Sequence, residues 1–321
     1  MPKDMPKDMK DSFTLAQLSD PHLSSLERVR KRDLLGKRAL GYLSWLVNRR
    51  AEHRVEVLAA LVRDLHCQQP DHIVITGDLT HLGLPHEFEE AKDWLCTLGS
   101  SSRVTVVPGN HDAYVAASWD RSFPQWAPYM ISDSDGHQTV TTSGDGTTFP
   151  SLRIRGPIAL IGVSTARPSA PFLAVGSLGA SQLHKLGEVL EQAGREQLFR
   201  IVLMHHPPLP GIVRWRKRLT DSAHFRAVVA RYGAELILHG HAHRTSFVQL
   251  ETSVESPLAI GVPSASAHGR KKGGRAQYHI YRLTRTSEGW QLLLSVHAYS
   301  PAEDRFKPQG ETRLRVPSRA G

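Results

Sequence analysis

The stretch VTVVPGNHD, residues 104–112, joins an apolar run to a turn that carries an amide, an imidazole and a carboxylate. A run of β-branched residues followed by proline and glycine is typical of a buried strand that ends in a tight turn. Asn110, His111 and Asp112 would then lie just beyond the end of that strand. Amide, imidazole and carboxylate groups are ligands of divalent metals. The stretch therefore predicts a strand with a metal-binding edge.

Four further motifs repeat this arrangement, and each directly follows an apolar run that reads as a strand. A two-metal hydrolytic centre needs a bridging carboxylate, neutral nitrogen ligands and open coordination positions. Any one motif is a weak signal, because the chain has 18 histidines, but the five in order predict such a centre. The four motifs are Asp20-Pro21-His22, Gly77-Asp78, Met204-His205-His206 and Gly240-His241-Ala242-His243.

Helical and strand patterns between the motifs predict one α/β unit. Apolar periodicity with proline or glycine at the ends predicts helices over residues 85–98, 181–191 and 223–232. After residue 243 the pattern predicts successive strands, at 246–250, 258–262, 277–283 and 290–296. We therefore expect a single domain over residues 12–300. The polar ends are predicted to be a disordered tail, residues 1–11, and a loose C-terminal tail or edge extension, residues 301–321.

Composition limits the class of protein. The 321-residue chain is 40% apolar and has a net charge of +9, which favours anionic partners such as a phosphorylated substrate, nucleic acid or a membrane surface. Cys67 and Cys96 lie far apart in helical patterns, which predicts buried free thiols and a reducing, cytoplasmic location. No signal peptide is visible, and no apolar run approaches the roughly 18–20 residues of a membrane span. We expect a protein that is soluble or peripheral on the inner membrane face.

Together the five motifs resemble those of the calcineurin-like metallophosphoesterase superfamily. That family carries Asp-X-His, Gly-Asp, Gly-Asn-His-Asp/Glu, a single histidine after a strand, and Gly-His-X-His. The resemblance spans residues 13 to about 265. It implies an α/β fold, a four-layer αββα sandwich with two central mixed sheets flanked by helices. It also implies a dinuclear site at the carboxyl ends of the strands.

The resemblance assigns a role to each matching position, with two divalent ions (Mn, Fe, Zn or Co) as cofactors. Asp78 would bridge the two metals, and His206 stays an alternative to its neighbour His205. His111 resembles a non-ligand histidine that orients substrate or protonates the leaving group, and Asp112 is expected to shape the turn. Asn110, His111 and Arg270 are the predicted substrate-binding residues. The implied metal ligands are Asp20, His22 and His243 for the first metal, Asn110, His205 and His241 for the second, and Asp78 for both.

Departures from the family pattern indicate which branch of the superfamily this chain resembles. The protein phosphatase branch reads Gly-Asp-X-X-Asp-Arg-Gly, whereas this chain has His81 and Leu82 at the last aspartate and the arginine. Residues 19–23, 77–80, 205–208 and 261–265 more closely resemble the bacterial class III cyclic-nucleotide and glycerophosphodiester phosphodiesterases. We therefore expect hydrolysis of a small-molecule phosphodiester by a metal-bridging hydroxide.

One segment leaves a second function open. Residues 28–54 are basic, contain Trp45 and follow the first metal motif, so they either contact an anionic membrane or pack on the core. Membrane contact would favour a pyrophosphatase or phosphoesterase acting on a lipid-linked substrate such as UDP-diacylglucosamine.

Two weaker alternatives remain. The basic patches 214–218 and 270–275 would also suit a nuclease. The sequence contains no recognisable nucleic-acid-binding module, however, so nucleic acid is not the expected partner. A non-catalytic scaffold would be expected to lack ligands, and none of the seven is missing. The sequence leaves the oligomeric state open.

Overall fold

The computed structural model describes residues 12–23, 26, 29–115, 123–133, 148–251, 256–269, 274–287 and 289–317. The predicted disordered tail, residues 1–11, lies outside them. The strands are β1 Ser12–Leu18, β2 His72–Ile75, β3 Val104–Val106, β4 Ser151–Arg155, β5 Ile158–Gly162, β6 Phe199–Leu203, β7 Leu236–His239, β8 Ser246–Gln249, β9 Leu258–Gly261, β10 Gln277–Thr286, β11 Gly289–Ser300 and β12 Arg305–Pro317. The helices are α1 Lys37–Asn48, α2 Val55–Gln68, α3 Pro85–Leu98, α4 Ala127–Met130, α5 Ala180–Arg195 and α6 Ser222–Tyr232.

The strands form two mixed six-stranded sheets. The first has the order β12-β11-β10-β1-β2-β3, with β1, β2 and β3 parallel and β10 to β12 antiparallel. The second has the order β4-β5-β6-β7-β9-β8, in which β5, β6, β7 and β9 are parallel. Because parallel strands share a direction, the carboxyl ends of β1, β2 and β3 meet at one edge, and those of β6 and β7 meet at another.

Alternating side chains divide the buried apolar residues of the two sheets between two large clusters. Leu160 and Leu203 of the second sheet belong to the cluster that contains Leu15 and Val74 of the first sheet, together with residues of α2 and α3. The neighbouring Ile161 and Val202 belong instead to the cluster formed with α5 and α6. Successive residues of a strand point to opposite faces, so each sheet is covered on both sides. The predicted four-layer αββα sandwich is confirmed.

Most of the predicted elements are present, with shifted ends. α3 begins at Pro85 and is closed by Gly99, and α6 is closed by Gly233, as predicted. α5 begins at Ala180 after Gly179 at the N-cap, one residue before the predicted start, and continues to Arg195, four residues beyond the predicted end.

The C-terminal segment differs from the expected loose tail. Residues Arg305–Pro317 form β12, which pairs antiparallel with β11 along its length and lies at the edge of the first sheet. Phe306 and Val316 are buried against the core, which gives an otherwise polar strand its apolar anchors. The loose-tail prediction is therefore wrong for this strand, and the edge-extension alternative describes it.

The two cysteines are free thiols in helices, as expected, but both are exposed rather than buried. Cys67 lies two residues after the buried Leu65 of α2 and Cys96 one residue after the buried Leu95 of α3. At about 100° per residue, these offsets turn both thiols away from the core. Among the described residues, no helix is both long and apolar enough to cross a membrane.

Candidate metal centre

The predicted ligands lie in tight turns directly after the parallel strands. The turn after β1 is tied to the turn after β2, because Asp20 N donates to Gly77 O at 2.9 Å and His22 N donates to Asp78 O at 3.1 Å. Five of the seven predicted ligands have φ between 43° and 63°, a region that non-glycine residues rarely adopt. Such backbone strain concentrates at functional sites. The five are Asp20, His22, Asp78, His241 and His243.

Two glycines allow these turns to approach one another. Gly77 has φ of 95°, and a Cβ there would lie 2.6 Å from Gly109 N and 2.7 Å from His205 Nδ1. A Cβ on Gly109 would overlap the carboxylate of Asp78. The glycines of the Gly-Asp and Gly-Asn-His-Asp motifs are therefore required by close contact between the two turns.

The first candidate cluster contains Asp20, His22 and His243. His243 Nε2 lies 3.1 Å from Asp20 Oδ1. His22 Nδ1 donates to Thr80 O at 3.0 Å, which leaves its buried Nε2 facing the centre without a hydrogen-bond partner. Burial opposes ionisation of Asp20, but the charge and hydrogen bond of His243 outweigh it and hold the pKa of Asp20 well below its usual range.

The second candidate cluster contains Asp78, His205 and His241, with Asn110 beside them. His205 Nδ1 donates to Thr76 O at 2.7 Å, which fixes the ring so that Nε2 faces inward. That Nε2 lies 3.3 Å from Asn110 Oδ1 and 3.2 Å from His241 Nδ1. Burial lowers the pKa of His205, but the Asp78 carboxylate outweighs it and raises that pKa to about 9.

Asp78 lies between the two clusters. Its Oδ2 is 4.0 Å from His22 Nε2 and 3.4 Å from His205 Nε2. Its Oδ1 accepts a hydrogen bond from His111 N at 2.7 Å. A single carboxylate oxygen that faces one ring nitrogen of each cluster is the arrangement expected of a bridging ligand.

The donor set fits two divalent ions. Each cluster combines carboxylate oxygen with imidazole nitrogen, the mixture that suits Mn, Fe, Zn or Co. Backbone carbonyls orient the rings of His22 and His205, as is usual for metal-binding histidines. The unpartnered buried Nε2 of His22 and the poorly satisfied Asp20 Oδ1 point into the centre, where a cation would satisfy both.

Asp112 holds the turns together and does not face the centre. Its carboxylate accepts from the backbone N–H groups of Gly109 at 2.8 Å, Asp78 at 2.9 Å and Thr80 at 2.9 Å. The prediction that Asp112 shapes the turn is confirmed.

The His206 ring packs against His241, with centroids 4.3 Å apart, but both of its nitrogens are bonded outside the two clusters. Its Nδ1 lies 2.7 Å from Thr165 Oγ1, and its Nε2 lies 3.1 Å from Ala174 O. His205, not His206, is brought to the centre. Arg270, the third predicted substrate-binding residue, lies outside the described residues.

Arg49 is a site residue that the sequence analysis counted only as part of a basic stretch. It follows α1 directly, and its Nη1 donates to His111 Nε2 at 2.8 Å. His111 Nδ1 in turn donates to His81 O at 2.6 Å. Burial, reinforced by the Arg49 charge, holds the pKa of His111 well below its ordinary value, so His111 is neutral.

Two further histidines surround the first cluster. The His81 ring stacks on the His22 ring with centroids 4.9 Å apart, and the His53 ring meets it edge-on at 4.6 Å. His53 Nδ1 is bonded to Ser266 Oγ at 2.7 Å. His81 was recognised only as a departure from the family motif. Nothing local in the sequence marks His53, which reaches the site because the segment after α1 pairs with residue 267.

A cavity of about 250 Å³ opens beside the second cluster, between α1 and the loop of residues 171–174. Its lining includes three cationic side chains, Lys37, Arg49 and Lys217, and no carboxylate. The remaining wall is largely apolar. It is formed by Leu40, Trp45, Leu82, Tyr114, Pro171, Phe172 and Leu173, among others.

Residues 13–245 match the family model described as calcineurin-like phosphoesterase. This match covers more than half of the chain, and the protein belongs to that family. The family is dinuclear and metal-dependent, in agreement with the two candidate clusters.

Individual relatives agree with this assignment. A probable cyclic nucleotide phosphodiesterase from Synechococcus sp. is 27% identical over 194 residues, which cover 60% of this chain and 64% of the relative, less than two thirds of its length. Among solved structures, a dimetal phosphatase from Danio rerio has a TM-score of 0.60 at 14% identity and covers 95% of this chain and 99% of its own. GAP50, the anchor in the inner membrane complex of Plasmodium, has a TM-score of 0.53 at 10% identity, with 96% and 90% covered. At these identities the two structures show a shared fold alone.

Proposed function

We propose that the protein is a dinuclear metal-dependent phosphoesterase that hydrolyses a small-molecule phosphodiester of the cyclic nucleotide or glycerophosphodiester type. The observation that carries this proposal is the position of Asp78, whose Oδ2 faces His22 on one side and His205 on the other. The Synechococcus relative supports the diester class, because it is itself a probable cyclic nucleotide phosphodiesterase.

Seven side chains would hold the two ions. Bound divalent ions supply Lewis acidity towards a phosphoryl group and lower the pKa of water, which is the chemistry that hydrolysis of a phosphoester needs. The proposed ligands are Asp20, His22 and His243 for one ion, Asn110, His205 and His241 for the other, and Asp78 for both.

Arg49 would bind the phosphate of the substrate. Its guanidinium lines the cavity beside Asn110 and donates to a neutral histidine, a weaker acceptor than a phosphate oxygen. Burial lowers the pKa of Arg49, and the carboxylates of Asp78 and Asp20 offset part of that effect. An arginine stays charged under these conditions. It would therefore supply the cation that this chain lacks at Leu82, where the protein phosphatase branch carries an arginine.

His111 would orient Arg49 and the substrate. Its Nδ1–H donates a hydrogen bond to the carbonyl oxygen of His81, and its Nε2 accepts a hydrogen bond from Arg49. Of the two roles predicted for His111, orientation and proton donation, this arrangement supports orientation. Asn110 would serve the second metal and, at the cavity wall, the substrate.

A substrate panel tests the proposal. Protein with two bound Mn ions would be assayed with bis(p-nitrophenyl) phosphate, cyclic nucleotides, glycerophosphodiesters and monoesters, with Asp78→Asn as the matched inactive control. We expect turnover of diesters in preference to monoesters, and none in the variant. Loaded protein that hydrolyses only monoesters, or nothing, would contradict the proposal.

A further inference from the structure

The exposed apolar side chains are concentrated around the mouth of the cavity. Ten large hydrophobic side chains are exposed in the described part of the chain, and seven of them lie on three segments that border the cavity. Such clustering, unlike scattered exposed residues, marks an interaction surface. The seven are Leu35, Leu40, Leu43, Leu46, Val47, Phe172 and Trp215.

Helix α1 uses only part of its apolar surface for packing. Trp45 is buried with Leu82 and Leu84, and this contact fixes the helix beside the site. Leu40, Leu43 and Val47 are spaced three and four residues apart, so they share one face of the helix. They are 43%, 58% and 81% exposed, so this face has no partner within the described chain. Leu40 also lines the cavity, which makes the face continuous with its mouth.

The opposite side of the mouth presents two exposed aromatic rings. Phe172 is 80% exposed, lines the cavity and has φ of 67°, in the left-handed region that non-glycine residues rarely adopt. Trp215 is 70% exposed and lies two residues before Lys217, another cavity residue. The two segments are bonded to each other, because Ala174 N donates to Arg216 O at 2.9 Å. We call Leu40, Leu43, Val47, Phe172 and Trp215 the apolar rim.

The surroundings of the apolar rim are strongly basic. Residues 29–54 contain eight arginines and lysines against two acidic residues, and residues 209–218 contain four against none. This excess rules against pairing of the rim with a second copy of the chain, since a symmetric contact would set the same cations against one another. Apolar side chains surrounded by cations are complementary to an anionic lipid bilayer. The apolar side chains would insert at the boundary of the acyl region, and the cations would contact the anionic headgroups.

We propose that the apolar rim docks on an anionic membrane surface, so that the cavity opens directly onto the bilayer. Resting on the proposed function, this identifies the substrate class as a phosphoester carried by an amphiphile. The phosphate of the substrate would reach Arg49 and the metal centre. The apolar part of the substrate would extend out of the cavity between Leu40 and Phe172, towards the bilayer. Within the diester class of the proposed function, this favours an amphiphilic glycerophosphodiester over a freely diffusing cyclic nucleotide as the physiological substrate.

Vesicle co-sedimentation tests the docking step without catalysis. Metal-free protein in chelator would be mixed with vesicles of phosphatidylglycerol and phosphatidylcholine, or of phosphatidylcholine alone, at low and high salt. The rim variants are Leu43→Gln/Val47→Gln and Trp215→Gln, none of which lines the cavity. Ile131→Gln is the matched control, because Ile131 is 40% exposed and lies outside the rim at the end of α4.

We expect wild type and the control to bind the anionic vesicles, with weaker binding at high salt. Each apolar side chain withdrawn from the bilayer should weaken binding roughly tenfold. No binding by wild type, or equal binding by the rim variants, would overturn the proposal. A dimer in sedimentation velocity that the rim variants lose would overturn it in favour of a contact between copies.

Turnover of soluble bis(p-nitrophenyl) phosphate by the Mn-loaded forms of the same preparations separates the two proposals. Turnover without vesicle binding refutes the membrane inference alone. Vesicle binding without turnover refutes the proposed function alone. Rim variants should keep the wild-type rate on this soluble diester.

Discussion

Replacement of Arg49 by alanine is predicted to lower kcat/KM for phosphodiester hydrolysis while both metal ions stay bound. Within the part of the chain that the structure describes, no hydrogen bond joins the Arg49 side chain to any of the seven proposed ligands. Its guanidinium instead donates to His111 and lines the cavity next to Asn110. The substitution therefore removes the cation proposed to grip the phosphate and leaves the donor set intact.

The size of the effect follows from the kind of bond lost. A hydrogen bond to a charged group contributes about 1.5–3 kcal/mol, so kcat/KM for a soluble diester should fall roughly 10- to 150-fold. Arg49→Lys should lose less, because it keeps the charge but cannot offer the planar pair of donors. Two metal ions per chain should be retained by both variants.

Arg50→Ala is the matched control. Arg50 is the next residue along the chain, carries the same charge and is exposed. Steady-state kinetics would be measured alongside metal content for all three variants. If Arg49→Ala keeps more than half of the wild-type kcat/KM, or if Arg50→Ala loses as much, Arg49 does not bind the phosphate.

Three further variants test separate parts of the structure. Asp78→Asn should lose metal and turnover together, since the bridging carboxylate is removed; full metal content by elemental analysis would contradict the bridging role. His111→Ala should keep both metals and lower kcat/KM roughly tenfold or more, because one hydrogen bond to a charged group is lost. An unchanged rate would show that His111 does not contribute to hydrolysis. Burial raises the pKa of Glu87 to about 7 from 4.5, an effect partly offset by the N–H groups of Leu84, His81 and Leu82. The folded state therefore keeps a proton that the unfolded chain releases, so the contribution of Glu87 to the unfolding free energy should fall by about 3 kcal/mol between pH 4.5 and pH 7. Urea denaturation of the metal-free protein should show the unfolding free energy of wild type falling by about 3 kcal/mol more than that of Glu87→Gln over this range; an equal change in both would refute it.

The strand-end motifs could be read from the sequence because each is local. A run of β-branched residues, a glycine and a polar side chain lie within a few residues of one another, and the carboxyl ends of parallel strands meet whatever connects them. The structure accordingly brings Asp20, His22, Asp78, His205 and His241 together, and with them Asn110 and His243.

Arg49 could not be assigned in this way. It is 62 residues from His111 in the chain, and its approach depends on how Trp45 anchors α1 against Leu82. The composition of residues 28–54 left contact with a membrane and packing on the core both open, and it did not show which side chains would be left without a partner. Local patterns equally failed for β12, a polar strand that forms because β11 supplies its hydrogen-bonding edge.

The central claim is that two metal ions share Asp78. Anomalous diffraction from crystals of the Mn-loaded protein tests it directly. The account predicts two anomalous peaks on either side of Asp78 Oδ2, one next to Asp20, His22 and His243, the other next to Asn110, His205 and His241. One peak, or peaks away from Asp78, would contradict it.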